Sequence, residues 1–431
     1  MRRLRWLRWA DLAIIVPVFA VLAVLTLRDA DDGAQVSGGR SLATGAEVLS
    51  RGEYLAQAGN CMHCHTQRGG AAYAGGRAIV TSFGSVYTTN LTPDAGTGIG
   101  GWSADDFWQA LHFGRSKDGH WLLPAFPYGN FTRVNRADSD ALYAWLRTLP
   151  AVSQANRPHA LAWPFSSQWA LGLWRALFFR AQMFEPDSRQ SEQWNRGAYL
   201  VQGLGHCSAC HSARNALGAS SDAEALAGGT IAVQDWHAPA LASRTQASGE
   251  PRWTQQALVQ MLQTGTSAHG NAMGPMADVV LRSTQYLTMA DLAAMAVYLD
   301  ALPPVSDSAR SASKSSNADH EGSQLGARLY KDHCAQCHGE NGKGVLHAYP
   351  ALAGSAGVNM ASPMNLVQIV LNGGFAPTTA GNPRPFGMPP FALNLSDHEI
   401  AAVLSYIRSA WGNGAGAVTP QDVDRLRGHS H

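Results

Sequence analysis

Once three copies of Cys-x-x-Cys-His have been counted, no cysteine is left over: Cys61–His65, Cys207–His211 and Cys334–His338 use all six. No thiol remains for a disulfide framework, and the cysteine count alone does not establish an oxidising compartment. Charge is scarce as well. Asp, Glu, Lys and Arg make up 15% of the chain, against about 25% in soluble proteins generally, a deficit compatible with large buried or partner-covered surfaces. A formal net charge of +1 offers no footing for nucleic acid or for a strongly acidic partner. Nothing in the chain reads as a nucleophile with its base, or as a Gly-rich turn for flavin or nicotinamide. Methionine is missing from the whole stretch between Met62 and Met183.

What is present is the spacing for covalent attachment of c-type haem. In each copy two thiols add to the two vinyl groups of one haem, and the adjacent histidine is placed to bind its iron. A single copy is open to readings as a zinc half-site or a redox dithiol. Three copies, each followed by His with no cysteine left over, argue against both and imply a three-haem cytochrome, with Cys61, Cys64, Cys207, Cys210, Cys334 and Cys337 as attachment points and His65, His211 and His338 as iron ligands.

The N-terminus supplies an address. Arg2, Arg3, Arg5 and Arg8 precede an uncharged, largely apolar run of 16 residues, Leu12 to Leu27, between a signal-peptide core and a full membrane span in length. Trp6 and Trp9 suit the membrane interface and the arginines the cytoplasmic side. Without a convincing small-x-small cleavage site, the expectation is an uncleaved anchor over residues 1–35, with a cleaved signal as the alternative. Haem is attached to such motifs on the outer face of the bacterial inner membrane, so the rest of the chain is expected to be periplasmic.

The motifs recur at intervals of 146 and 127 residues, and the text around them recurs too. Arg51-Gly-Glu-Tyr-Leu-Ala-Gln-Ala, Arg196-Gly-Ala-Tyr-Leu-Val-Gln-Gly and Gly326-Ala-Arg-Leu-Tyr-Lys-Asp read as helices delivering the chain into a haem loop. Closing helices are expected at Asp138–Leu149, Asp291–Leu302 and Asp397–Trp411, with Asp at or near each start as an N-cap and Pro150 and Pro303 ending the first two. Their aromatics, Tyr143, Trp145, Tyr298 and Tyr406, read as core packing rather than electron relays. The expected fold is mainly α: three tandem class I cytochrome c domains, each wrapped round one haem, with an N-terminal membrane anchor helix. The domains run over residues 45–150, 195–304 and 324–412. Loops can dominate in such small domains because the macrocycle supplies apolar core. Residues 305–323 are Ser-rich and read as a flexible linker, and residues 413–431 as a tail. The connector 151–194 is rich in Trp and Phe, and its expected helix around Ser167–Phe179 reads either as a membrane or partner-docking element or as filler between the first two domains.

The sixth iron ligand controls potential, methionine raising it relative to a second histidine. Met388, in Phe386-Gly-Met-Pro-Pro, is the expected ligand in the third domain, with Met360 and Met364 as alternatives. In the second domain Met276 is preferred over Met273 for its Gly-Pro setting. The same distance back from the first closing helix lands on Pro124-Ala-Phe126-Pro, where phenylalanine stands in place of methionine. His112 or His120, water, or no sixth ligand remain open for the first haem.

The chain resembles the three-haem cytochrome c subunits of membrane-bound periplasmic dehydrogenases for alcohols, aldehydes and sugar acids. The resemblance covers about residues 45–412 and rests on Tyr87-Thr-Thr-Asn-Leu-Thr-Pro-Asp, Thr97-Gly-Ile-Gly, Pro124-Ala-Phe-Pro-Tyr, Trp163-Pro-Phe, Leu177-Phe-Phe, Gly274-Pro-Met-Ala-Asp-Val-Val, Ser283-Thr-Gln-Tyr-Leu-Thr and Met388-Pro-Pro-Phe. It implies an electron-transfer subunit without substrate chemistry of its own, passing electrons from a catalytic subunit of molybdopterin, pyrroloquinoline quinone or flavin type to ubiquinone in the membrane. The family's methionines match Met276 and Met388. For the first haem its members usually carry Met either within the Pro-Ala-x-Pro-Tyr string or three residues after the following Phe, where this chain has Phe126 and Val134. The Phe-containing string leans towards the branch serving molybdenum-containing aldehyde or N-heterocycle dehydrogenases. The alternatives are a free-standing membrane cytochrome feeding a terminal oxidase and a haem peroxidase using the first iron.

Overall fold

The computed structural model of the protein describes residues 44–220, 225–231, 233–241, 253–303, 320–345 and 348–428. The expected N-terminal anchor and most of the Ser-rich linker lie outside these residues. No helix among the described residues is long and apolar enough to cross a membrane. The chain divides into two compact units: residues 44–56 and 61–185 form the first, and residues 57–60 and 186–428 the second, which holds both later haem motifs.

The architecture is mainly helical, with strands confined to short ribbons. In the first unit α1 (Ala46–Ala58) leads into the haem motif, α2 (Ala104–Trp108) runs on into a π-helical turn at Gln109–Phe113, α3 (Arg136–Leu146) closes the unit and α4 (Gln168–Phe178) follows in the connector. A ribbon of β1 (Ala78–Thr81), β2 (Gly84–Tyr87) and β3 (Ala160–Leu161) is antiparallel throughout. In the second unit α5 (Glu192–Gln202), α6 (Gln255–Thr264), α7 (Pro275–Arg282) and α8 (Met289–Asp300) surround the second motif. There β4 (Gly229–Ile231) pairs with β5 (Trp236–Ala238). Around the third motif stand α9 (His320–His333), α10 (Met364–Asn372), α11 (Asp397–Ser409) and α12 (Pro420–Arg427).

One helix crossing is built three times, between the helix before each motif and the closing helix. Its contact point is a glycine. A Cβ on Gly52 would lie 2.1 Å from the Ala141 carbonyl oxygen, one on Gly197 1.9 Å from that of Ala294, and one on Gly326 2.3 Å from that of Ala402. In each case the added atom would also meet the Cβ of the aromatic four residues on, Trp145, Tyr298 or Tyr406. The backbones touch, so only a residue without a side chain fits. The aromatics then pack as core: Trp145 sits edge-on to Tyr73 at 5.5 Å, Tyr298 to Trp194 at 5.1 Å, and Tyr406 lies 5.7 Å from Tyr330.

The closing helices start with a different chemistry from the one expected. Their caps are Asn135, Thr288 and Ser396, whose side chains accept from the backbone N–H of the residue three on, Asp138, Asp291 and Glu399. Asp138 and Asp291 instead face the helix before the motif. Asp138 accepts from Arg51 Nε at 2.6 Å, and Asp291 takes Arg196 through both carboxylate oxygens at 2.8 and 2.7 Å. The third crossing replaces this ion pair by Leu325, packed against the core, and a capping box of Ser396 with Glu399. The helices also end at Leu146, Asp300 and Ser409, two or three residues before the expected ends.

The segment expected as a tail from residue 413 is part of the fold. Helix α12 buries Val423 and Leu426, and its Arg427 bonds Asp397 at 2.7 Å and the Leu395 carbonyl at 2.9 Å. Helix α4 stands at the place where a helix is expected in the connector. It buries Leu171, Gly172 and Arg175, while Trp169 and Leu177 remain more than 60% exposed.

Gly197→Ala is expected to cost about 1–3 kcal/mol through overpacking and to lower the unfolding temperature of the second unit by several degrees. Gly322→Ala, in helix α9 with nothing within 4 Å of its added Cβ, should leave it unchanged. Calorimetry of both variants checks the pair.

Candidate haem-binding sites

Each motif begins within five residues of the end of the preceding helix, and its histidine is oriented in the same way each time. His65 Nδ1 lies 2.7 Å from the Thr89 carbonyl, His211 Nδ1 2.7 Å from that of Pro239, and His338 Nδ1 2.9 Å from that of Pro350. The carbonyl accepts, so Nδ1 carries the proton and Nε2 is left with its lone pair for a metal. Burial lowers all three imidazole pKa values, with the carbonyl bonds opposing, so the rings are held neutral as ligation requires.

The loops that bring those carbonyls into place are pinned by matching backbone bonds. Gly75, Gly228 and Gly344 each donate to the carbonyl of the motif histidine at 2.8 Å. Two residues beyond each accepting carbonyl, Leu91, Leu241 and Leu352 donate back into the loop, to Tyr73, Leu226 and Gly342. The sequence reading missed the accepting residues, although Pro239-Ala-Leu241 and Pro350-Ala-Leu352 repeat one string.

In the second unit the two sets of site residues line one continuous cavity of about 1060 Å³. Cys207, Cys210, His211, Met273 and Met276 contribute from one motif's surroundings, and Cys334, Cys337, His338, Met360 and Met388 from the other's. Reciprocal hydrogen bonds of 2.8 Å between His237 in β5 and Asn365 in α10 join the two halves of this wall. The cysteines are not paired with one another. Burial, reinforced by the partner cysteine of the motif, pushes the Cys207 thiol up to about 12 and that of Cys334 to about 11. A large apolar cradle, neutral thiols and a histidine with a free Nε2 fit covalently bound haem.

Met276 is the second residue of α7, entered through Gly274 at φ 53°, where a Cβ would lie 2.5 Å from the Trp236 ring. Met273 extends its methyl towards Gly374 instead, 3.1 Å from where a Cβ there would stand. Met388 sits in a two-residue ribbon opposite Gly374. Met360 lies 4.0 Å from Asn365 Nδ2, and Met364 packs against the core formed by α9, α10 and α11.

The first unit repeats the proximal arrangement but has no methionine in the matching seat. After α6 the chain turns through left-handed Gly265, and Ala272 donates to its carbonyl at 2.7 Å; after the π-helical turn, left-handed Gly114 receives Leu122 at 2.8 Å. Four residues beyond these matched positions stand Met276 and Phe126. Val134 is fully buried. The two candidate histidines differ in their surroundings. His120 Nδ1 contacts the Asp118 carboxylate at the surface. His112 is 3% exposed, stacked on Trp108 at 4.4 Å and edge-on to Phe113 at 4.5 Å. Burial pushes its imidazole down to about 4, opposed by a hydrogen bond to the Thr132 backbone.

Helix–loop–helix units with the histidine-bearing motif between crossing helices define a c-type cytochrome, and a family model for cytochrome c matches residues 323–411. The chain is 39% identical over 400 residues to the gluconate 2-dehydrogenase cytochrome c subunit of Pantoea cypripedii, covering 88% of this chain and 89% of that one. It is 38% identical over 394 residues to the cytochrome c subunit of the quinone alcohol dehydrogenase of Gluconobacter oxydans, covering 88% and 82%. Against the fructose dehydrogenase cytochrome subunit of Gluconobacter japonicus it is 36% identical over 405 residues, again 88% of this chain and 82% of that protein. The chain belongs to the family of cytochrome c subunits of membrane-bound dehydrogenases.

His112 generates a pH dependence. Its folded pKa lies below the ordinary 6.5, so the unfolded chain takes up the proton first. The stabilisation is complete above about pH 6.5 and is lost as pH falls towards 4, about 3 kcal/mol in all. The unfolding temperature of the first unit should therefore fall more steeply between pH 6.5 and 4.5 in the wild type than in His112→Phe. Equal slopes would contradict the assignment.

Proposed function

We propose that this chain carries three haems in three cytochrome c domains, two of them in the second unit, and passes electrons from a catalytic dehydrogenase subunit to ubiquinone at the periplasmic face of the bacterial inner membrane. The observation that carries the reading is the single cavity lined by both later Cys-x-x-Cys-His motifs. A shared cavity lets two macrocycles approach without intervening backbone. Bound haem c supplies a one-electron iron couple at each site. The protein's own part is to anchor, orient and insulate. The cysteines fix each macrocycle covalently, and the backbone carbonyls of Thr89, Pro239 and Pro350 hold His65, His211 and His338 in the ligating tautomer. Met276 and Met388 serve as sixth ligands in the second and third domains, since Met273 is turned towards Gly374 and Met360 lies beside Asn365.

Named relatives are cytochrome subunits of dehydrogenases, which supports a catalytic partner that chooses the substrate. The apolar outer face of α4, with Trp169, Leu173 and Leu177 exposed, supports contact with the membrane or with that partner. The Leu12–Leu27 run is the proposed anchor.

Purification from native membranes in mild detergent should bring down a larger subunit carrying molybdopterin, pyrroloquinoline quinone or flavin, together with substrate-dependent ubiquinone reduction. A chain that comes away alone from active membranes would favour a free-standing carrier. Met276→Leu and Met388→Leu should each lower the potential of one haem in a redox titration and leave the others in place, whereas Met273→Leu should shift none.

A further inference from the structure

We propose that the first haem iron, unlike the other two, has an open sixth position walled by Phe126, and that this position binds a small neutral or anionic ligand such as carbon monoxide in the reduced state or cyanide in the oxidised state. The proposal rests on the reading that the first domain carries a haem, which the proximal geometry of His65 against the Thr89 carbonyl supports.

Matched backbone positions identify the residue at the distal seat. The bonds from Leu122 to Gly114 and from Ala272 to Gly265 set the register of the two distal loops, and in that register Phe126 takes the seat of Met276. A phenyl ring offers no lone pair to iron. It packs at 5.2 Å from Phe131 in an aromatic wall that also includes Tyr128. The second place at which a methionine is expected holds Val134, which is fully buried and equally without a donor.

The remaining candidate donors of the first unit stand at other positions than the one matched to Met276. His63 Nδ1 lies 3.3 Å from Arg77, His159 Nδ1 accepts from the Tyr87 N–H at 3.2 Å, and His120, with Nδ1 against Asp118, is exposed at the surface. Lys117 donates to the Gly101 carbonyl. His112 is stacked on Trp108 with a hydrogen bond to the Thr132 backbone, and its Nδ1 is buried without a hydrogen-bond partner. Met183, the first methionine beyond the motif, is 53% exposed to solvent. An iron held by His65 alone would have an unfilled position and, when ferrous, would bind carbon monoxide there with no change in oxidation state.

The test uses the full chain purified with its haems. A pyridine haemochrome assay first establishes how many haems each chain carries. Three would uphold the three-haem reading, whereas two, with the first motif empty, would overturn that reading and this proposal together. With three present, carbon monoxide titration of the dithionite-reduced protein should saturate at one third of the total haem. The oxidised protein should show one high-spin haem in its electron paramagnetic resonance spectrum. Phe126→Met should abolish carbon monoxide binding and convert the high-spin signal to low-spin, while Phe126→Leu should retain both. Three low-spin haems that do not bind carbon monoxide in the wild type would overturn the proposal. A low-spin bis-histidine signal that disappears in His112→Ala or His120→Ala would overturn it in favour of histidine ligation.

Discussion

A hydrogen bond of 2.7 to 2.9 Å from each motif histidine to a backbone carbonyl is the constraint on which these sites depend. Ring attachment to the chain fixes only where the imidazole starts; the Nδ1 bond fixes which nitrogen is free and where it points. The carbonyl must in turn be held, and a long loop has no regular ladder to hold it. Backbone bonds from Gly75, Gly228 and Gly344 to the histidine's own carbonyl, and from Leu91, Leu241 and Leu352 into the loop, fill that role at all three places. The repetition explains how loops of different length support one geometry.

The helices supply the frame for those loops. Gly52, Gly197 and Gly326 let two backbones meet, which sets the angle at which each motif leaves its helix. Around that fixed point the chemistry varies. Two crossings are latched by an arginine–aspartate pair, and the third by apolar packing and a capping box. Since a partly buried ion pair gains little over a well-packed apolar contact, the exchange is energetically mild. The crossing itself admits no such substitution.

The motifs were legible in the sequence because covalent attachment needs adjacent residues. The repeated strings before them, Arg51-Gly and Arg196-Gly, were visible too, and so were the closing helices through their aliphatic and aromatic spacing. The accepting carbonyls were not, because they belong to backbone 12 to 28 residues away and no side-chain type is needed to supply them. The helix starts were misread for a related reason. Aspartate is a good cap, but Asp138 and Asp291 stand three residues past the caps, and only the fold shows that Arg51 and Arg196 face them. The final helix was overlooked although Thr419-Pro-Gln-Asp422 carries a capping box and Val423 and Leu426 an apolar stripe. At the first site the missing methionine was plain in the sequence. That Phe126 occupies the seat of Met276 needed the matched backbone bonds of the two loops.

The chain belongs to the cytochrome c subunits of dehydrogenase complexes, and the function proposed above makes it the conduit between a catalytic subunit and a quinone. The most direct test is anaerobic rapid mixing of the intact membrane-derived complex, first with the substrate of its catalytic subunit and then with ubiquinone, following the c-type haem bands. The haems are expected to become reduced during turnover and to be reoxidised when ubiquinone is added. Substrate oxidation with the haems remaining oxidised, or reduced haems that ubiquinone leaves reduced, would contradict the conduit role.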